Sequence, residues 1–264
     1  MELKNFLKLF REFPQIDQTA KVLSRPNSHI HWKGHVGSSR SISAIAVAEQ
    51  TPGHHVFILN DKEEAAYFLN DLEGIYPEDK RILFYPSSCQ VPYQFEETDN
   101  ANVVHRAEIL ERVASGFNTW IVTYPEALFE KVPTKKKLLD NTLRLEVGKN
   151  YSIDFINELL LEYHFDRVDF VYEPGQFSIR GGLVDVFSYA NDSPFRIEFF
   201  GDEIETIRTF DAATQLSLKS HSFFNVIPNI QGQISLEGIG SFFEFIGQSA
   251  ILWLSSHERL AQII

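Results

Sequence analysis

The clearest chemical pattern in the chain is a run of small and polar residues, GHVGSSRS, at residues 34–41. Its spacing follows the phosphate-binding loop G-x-x-x-x-G-K-[ST], in which backbone N–H groups and a lysine bind phosphate and a hydroxyl binds magnesium. Gly34 and Ser41 occupy the end positions, but Ser39 replaces the second glycine and Arg40 replaces the lysine. Ser39 brings a Cβ where the backbone must approach phosphate, and Arg40 brings a broad planar head instead of a compact ammonium. The run therefore predicts a degenerate nucleotide loop that we do not expect to function.

A second element of the same chemistry is altered near the end of the chain. ATPases of this class carry an acidic pair after a buried strand, for magnesium binding and water activation. Here the apolar run at 251–254 continues into Ser255 and Ser256, whose hydroxyls cannot replace carboxylates as magnesium ligands. Taken alone, residues 34–41 also fit a plain Gly/Ser turn. The two losses together predict that the chain does not hydrolyse ATP, and we expect no catalytic residue, no cofactor and no metal site.

Strand and helix signals alternate in the first part of the chain. Short apolar runs such as 56–59 and 82–84 are typical of buried parallel strands. Asp61 and Glu64 have the spacing of a capping box, which predicts that a helix begins directly after Asp61. This alternation predicts an α/β fold with a doubly wound, mainly parallel sheet of a degenerate P-loop NTPase or helicase-like type. The run at 251–254 is predicted to return to that sheet.

The pattern changes near Lys131, where an alternating strand, a helix and several hairpins follow one another. These signals predict a smaller inserted α+β domain at residues 131–217, which is an ordinary size for a small domain. Residues 1–130 and 218–264 are then predicted to form the degenerate P-loop-like α/β domain.

Composition limits the class of protein. Lys and Arg total 24 against 36 Asp and Glu, so the formal net charge is −12, which argues against a protein whose main role is to hold nucleic acid. The lone cysteine, Cys89, excludes an internal disulfide and fits a reducing compartment. Residues 1–13 predict an amphipathic helix, and no apolar run is long enough to span a membrane. A cytoplasmic location is therefore predicted.

The most distinctive stretch, residues 173–217, contains GQFSIRGGLVDVF, PFRIEFFGDEIETIRTFD and AATQLS. Together with VFIL, GHVGSSRS and ILWLSS, these motifs resemble the amino-terminal, UvrB-like module of the bacterial transcription-repair coupling factor (Mfd) family over nearly the whole chain. The Gly181–Gly182 pair, the FDAATQ continuation and the loss of both nucleotide motifs resemble this family more than the excision-repair protein UvrB. Residues 85–106 are also too short for the DNA-clamping hairpin of UvrB.

The resemblance implies a binding surface in the inserted domain, because the similar domain of UvrB binds UvrA. Arg167 and Arg180 match two arginines at which UvrB meets UvrA, whereas Ser178 stands at the place of a third basic residue. Phe177 lies beside them and is a candidate aromatic anchor, since interfaces favour arginine and aromatic residues. In the alternative interpretation, Arg167 caps the preceding helix and Phe177 is a core residue.

These features lead to the hypothesis of a non-catalytic adaptor that recruits UvrA to stalled RNA polymerase in transcription-coupled nucleotide excision repair. In this family the full-length protein is an ATP-dependent DNA translocase. Other domains bind RNA polymerase and double-stranded DNA, and the module can contact the translocase region, so the chain is predicted to be part of a longer protein. One alternative is a UvrB-type ATP-dependent repair or helicase fragment, which an ATPase activity lost in Arg40→Ala would favour. The other is a DNA-binding module, which salt-dependent DNA binding would favour.

Overall fold

The computed structural model describes residues 9–88, 100–228, 238–256 and 258, and it divides the chain into two compact units. The first unit comprises Met1–Ser87, Ser115–Lys131 and Ser241–Ile264, and the second comprises Ser88–Ala114 and Val132–Gly240. In chain order the elements are α1 (Pro14–Leu23), α2 (Ser39–Ala48), β1 (His55–Ile58), α3 (Lys62–Ile75), β2 (Ile82–Phe84), α4 (Asn100–Ala114), β3 (Trp120–Thr123), α5 (Pro125–Leu128), β4 (Val132–Pro133), α6 (Lys135–Asp140), β5 (Leu143–Glu146), α7 (Ile153–Glu162), β6 (Asp166–Arg167), β7 (Gln176–Arg180), β8 (Leu183–Val186), β9 (Phe195–Phe200), β10 (Glu203–Phe210), β11 (Ser217–His221), β12 (Phe223–Val226), β13 (Ile239–Gly240), α8 (Phe242–Ile246) and β14 (Ile251–Leu254). Cys89, most of the predicted helix at 1–13 and most of the segment compared with the UvrB hairpin lie outside the described residues.

A four-stranded parallel sheet forms the centre of the first unit, in the order β14–β1–β3–β2. The central strands β1 and β3 are buried along their whole length, as expected for apolar parallel strands. β14 pairs with β1, which confirms the predicted return of the run at 251–254. Helix α3 packs against β2 and β3, and α2 packs against α1 and α3. The predicted α/β class and its parallel sheet are thereby confirmed.

Local signals determine where the helices near the degenerate loop begin. α2 starts at Ser39, inside the predicted loop at 34–41, and buries most of its Ala, Ile and Val side chains. α3 follows Asp61, whose carboxylate accepts a hydrogen bond from the Glu64 N–H at 2.8 Å. The reciprocal half of the predicted capping box is not formed, because the Glu64 carboxylate accepts from the Asn60 N–H at 2.9 Å instead.

The second unit contains a six-stranded sheet in the order β11–β10–β9–β8–β7–β6. Its strand pairs are antiparallel except for β6 and β7, which run parallel. The Gly181–Gly182 pair makes the turn between β7 and β8. Gly181 has a φ of 61°, and a Cβ on Gly182 would lie 2.8 Å from the carbonyl oxygen of Phe199. Both positions therefore require glycine, which is why this pair marks the turn so clearly in the sequence.

The two faces of the six-stranded sheet have opposite character, because side chains alternate along each strand. One face packs against α7, β5 and β12 in a core that includes Phe177, Val184, Val186, Phe195, Ile197, Ile204, Ile207, Ile156, Leu160, Leu145 and Phe224. The other face carries polar and charged residues from the same strands, among them Ser178, Arg180, Asp185 and Arg196.

Two segments that the sequence assigned to the first domain group with the second unit in the structure. Residues 218–240 do so because β11 pairs with β10, β12 with β5 and β13 with β4. Helix α4 does so as well, and the Asn225 amide donates to the Glu111 carboxylate at 2.9 Å. Such pairings join residues far apart in the chain, and local periodicity carries no signal for them.

Candidate functional site

Residues 34–41 of the first unit, the predicted degenerate loop, use their polar side chains in hydrogen bonds within the protein. Gly34 and Gly37 both have a positive φ, a backbone conformation that glycine adopts easily and that the turn before α2 uses. The Ser39 hydroxyl donates to the Val36 carbonyl oxygen at 2.8 Å. The buried Ser41 hydroxyl, which stands where a magnesium-binding hydroxyl is expected, donates to the Asp71 carboxylate at 2.6 Å. These groups are therefore engaged with the protein itself.

Arg40 joins the two altered nucleotide elements. Its guanidinium lies 2.6 Å from the Glu64 carboxylate and donates to the Ser255 hydroxyl at 3.0 Å, at the end of β14. Burial acts to raise the pKa of Glu64, but the hydrogen bonds from Asn60 and Arg40 outweigh it and hold the pKa below its ordinary value. Ser256, the next residue, is half-buried. The structure thus brings the predicted loop into contact with Ser255 of the predicted serine pair. Glu64 neutralises the positive charge of Arg40.

A cleft of about 700 Å³ adjoins Arg40 and is lined partly by aromatic side chains. The Trp32 ring stacks on His35 with a centroid separation of 4.9 Å and meets Trp253 edge-on at 5.2 Å. These rings pack on one another, as aromatic groups do in a structural cluster. Ser255 and Ser256, directly after β14, carry hydroxyls in place of the acidic pair of the nucleotide-binding pattern.

Asp185 is a buried charged group of the second unit, on the polar face of the six-stranded sheet. Its side chain is only 1% exposed. One carboxylate oxygen accepts from Arg196 Nε at 2.7 Å, and the other accepts from Arg196 Nη2 at 2.9 Å and from Arg180 Nη2 at 2.6 Å. The strand register produces this contact, because Asp185 lies opposite Ser178 on β7 and Arg196 on β9. A bidentate pair shared by two arginines is a strong, charge-assisted contact.

Arg180 is therefore held within the protein at both ends of its guanidinium. Besides Asp185, it donates to the Asp169 carbonyl oxygen at 2.9 Å, and its guanidinium carbon lies 4.9 Å from the centre of the Phe170 ring. About a third of its side chain remains exposed. Ser178, at the position that lacks the third basic residue, also donates to the Asp169 carbonyl oxygen, at 3.0 Å.

Arg167 lies on the edge strand β6 with its side chain exposed, directly beside Phe177 of β7. Because paired residues of neighbouring strands project from the same face, Arg167 and Arg180 project from opposite faces near one edge of the sheet. A partner that touches both arginines must therefore contact that edge.

Phe177 is fully buried in the core of the second unit, among the side chains that pack against α7. It has no exposed surface for a partner, so the structure supports the core interpretation and not the anchor interpretation. The apolar alternation of β7, where Phe177 and Ile179 share a face, is the signal that favoured this outcome.

Phe170 beside Arg180, and Tyr172 two residues further along the chain, are exposed aromatic residues that the sequence did not single out. They are 51% and 54% exposed, whereas Val171 between them is fully buried. Below, the name edge surface denotes Arg167, Phe170, Tyr172 and Arg180.

Among the described residues, no helix has the length and apolar character needed to cross a membrane. The described part of the chain also brings together no group of three histidine, cysteine, aspartate or glutamate side chains that could hold a metal ion.

Comparison with known proteins identifies the class of the second unit first. Residues 143–231 match the family model of the UvrB interaction domain. This span includes the whole six-stranded sheet, together with α7, β5 and β12. The edge surface therefore lies inside the matched region.

The particular relatives are transcription-repair-coupling factors. The chain is 27% identical over 192 residues to the protein of Bacillus subtilis (strain 168), 25% identical over 221 residues to that of Haemophilus influenzae, and 32% identical over 149 residues to that of Myxococcus xanthus. These matches cover 73%, 84% and 56% of this chain but only 16%, 19% and 12% of the relatives. The predicted resemblance to this family is confirmed, and the chain spans roughly a sixth of the length of such relatives.

Proposed function

We propose that this chain is the non-catalytic, UvrB-like adaptor module of a transcription-repair-coupling factor, and that it binds UvrA in transcription-coupled nucleotide excision repair. The observation that carries the proposal is the match of residues 143–231 to the UvrB interaction domain, on a sheet whose edge exposes Arg167. The similarity of the chain to transcription-repair-coupling factors supports the same role.

In this proposal the first unit is a degenerate P-loop-like domain that serves as a scaffold. Arg40 stands where the loop lysine is expected and is paired with Glu64, while Ser255 replaces a carboxylate at the end of β14. Without that carboxylate the site lacks the ligand that would hold magnesium against a nucleotide, and transition-state stabilisation in phosphoryl transfer depends on such charges.

The remainder of the proposal concerns the whole protein. As an ATP-dependent DNA translocase, it would bind RNA polymerase and double-stranded DNA through regions outside this chain. The module would then bring UvrA to a stalled polymerase in the cytoplasm, and contacts between the edge surface and the translocase region would mask it before activation.

Binding to UvrA tests the proposal directly. We expect the chain to bind purified UvrA in an equilibrium titration. Arg167→Glu should raise the Kd by roughly 10-fold or more, because a charge reversal at an interface arginine adds repulsion to the loss of contact. Arg25→Glu, the same change at an exposed arginine of the first unit, is the matched control and should leave the Kd unchanged. Absence of binding by the unmodified chain, or equal binding by Arg167→Glu, would contradict the proposal.

A further inference from the structure

The segment at residues 168–172, which follows β6, is hydrogen-bonded to strand β7 at Val168, Asp169 and Tyr172. The Val168 N–H donates to the Phe177 carbonyl oxygen at 2.9 Å, and the Asp169 carbonyl oxygen accepts from Ser178 and Arg180. The Gln176 side-chain oxygen accepts from the Tyr172 N–H at 2.9 Å. An irregular segment with this many anchors has little conformational freedom left to lose.

Val171 is the buried residue of the segment and lies between two exposed aromatic residues. The Val171 side chain is fully buried and packs with Phe187 and Phe210, and its carbonyl oxygen accepts from the Gln215 amide at 3.2 Å. Phe170 and Tyr172 are more than half exposed, although burial of such rings in the core would be favourable.

Arg180 positions one of these rings. Its guanidinium covers the Phe170 ring at 4.9 Å while Asp185 and the Asp169 carbonyl oxygen hold it from the other side. Rigid, exposed aromatic residues beside arginines are what binding hot spots are made of, and pre-organisation lowers the entropic cost of association.

We propose that Phe170 and Tyr172 are the aromatic anchors of the edge surface for UvrA, and that Arg180 acts as a positioning residue that holds Phe170. This inference rests on the proposed function, because UvrA is the partner that it assigns. The segment follows Arg167 directly in the chain, so the proposed anchors lie where the chain leaves the β6 edge. The UvrA surface that fits it is an apolar depression with acidic groups at its rim.

The test is a set of equilibrium titrations of UvrA with Phe170→Ala, Tyr172→Ala and the double variant. We expect each single variant to raise the Kd by about 10- to 30-fold, as truncation of a hot-spot aromatic residue does. Phe223→Ala is the matched control, because Phe223 is also 42% exposed in the second unit and lies under an arginine, Arg144, at 4.0 Å. It should bind like the unmodified chain, and thermal unfolding should show that every variant folds.

The positioning role has its own readout. Arg180→Lys keeps the positive charge but loses the planar fork, so it should raise the Kd by about 10-fold in the unmodified chain. In the Phe170→Ala background the same substitution should raise the Kd by less than about 3-fold, because the ring through which Arg180 acts is absent there. Equal effects in both backgrounds would overturn the positioning role.

The outcomes separate the two proposals. If Arg167→Glu weakens binding while the double variant Phe170→Ala/Tyr172→Ala binds normally, the aromatic anchors are wrong and the adaptor function stands. An equal loss in Phe223→Ala would also overturn the anchors, because the effect would then not be specific to the edge surface. If the unmodified chain does not bind UvrA, the proposed function fails, and the assignment of these anchors fails with it.

Discussion

Asp185→Asn should lower the free energy of unfolding by about 3–5 kcal/mol, the usual effect of breaking a buried ion pair by removing one partner. The carboxylate is almost completely buried, and both of its oxygens accept hydrogen bonds from Arg180 and Arg196. The substitution keeps the volume of the side chain but leaves two guanidinium groups without their counter-charge, and it puts an amide donor where only acceptors fit. Urea unfolding at neutral pH measures the difference.

Asp202→Asn is the matched control for this experiment. Asp202 is exposed in the turn between β9 and β10 of the same unit, so the same chemical change should alter stability by less than about 0.5 kcal/mol. If Asp185→Asn also stays within about 1 kcal/mol of the unmodified chain, the network on the polar face does not hold the sheet as described.

The second large effect concerns His55, the first residue of β1, which is completely buried. Trp253 Nε1 donates to His55 Nδ1 at 3.0 Å, so His55 Nε2 carries the proton and lies 3.0 Å from the Thr51 carbonyl oxygen. Burial lowers the pKa of His55 to about 4, and the nearby His54 and Arg81 add to this, against the hydrogen bond to Thr51.

Because the folded state lowers the pKa of His55 from 6.5 to about 4, the unfolded state binds the proton more readily between these values. The contribution of the neutral His55 to stability is complete above pH 6.5 and decreases as the pH falls. At pH 4 the loss of stability amounts to about 3 kcal/mol. Urea unfolding at several pH values should show a smaller loss of stability in His55→Gln than in the unmodified chain, by about that amount. His29→Gln, at an exposed histidine, should retain the full pH dependence. A His55→Gln curve parallel to that of the unmodified chain would contradict the burial of a neutral imidazole.

The elements near the degenerate loop could be predicted because their signals are local. The loop before α2 and the apolar run of β14 follow from residue types over a few positions, and the parallel pairing of β14 with β1 follows from the α/β pattern. The meeting of Arg40 and Ser255 follows from the same motif logic. The ion pair between Arg40 and Glu64 was not predicted, because the spacing of Glu64 from Asp61 indicated a role in a capping box instead.

The proposed binding surface was harder to predict, since it depends on contacts between strands. Asp185 stands between two valines, so alternation places it away from the core, but its burial depends on Arg196 of the next strand. Phe177 and Phe170 are both phenylalanines beside a predicted arginine. Only the regular strand at Phe177 and the irregular segment at Phe170 decide which of them is buried.

Competition between this chain and UvrB for UvrA tests the central claim most directly, because a UvrB-like adaptor should contact the surface of UvrA that UvrB uses. A fluorescently labelled chain is bound to UvrA, and unlabelled UvrB is added while the anisotropy is followed. We expect UvrB to displace the labelled chain completely and to return the anisotropy to the value of the free chain. A chain that stays bound to UvrA at saturating UvrB, or that never binds UvrA, would contradict it.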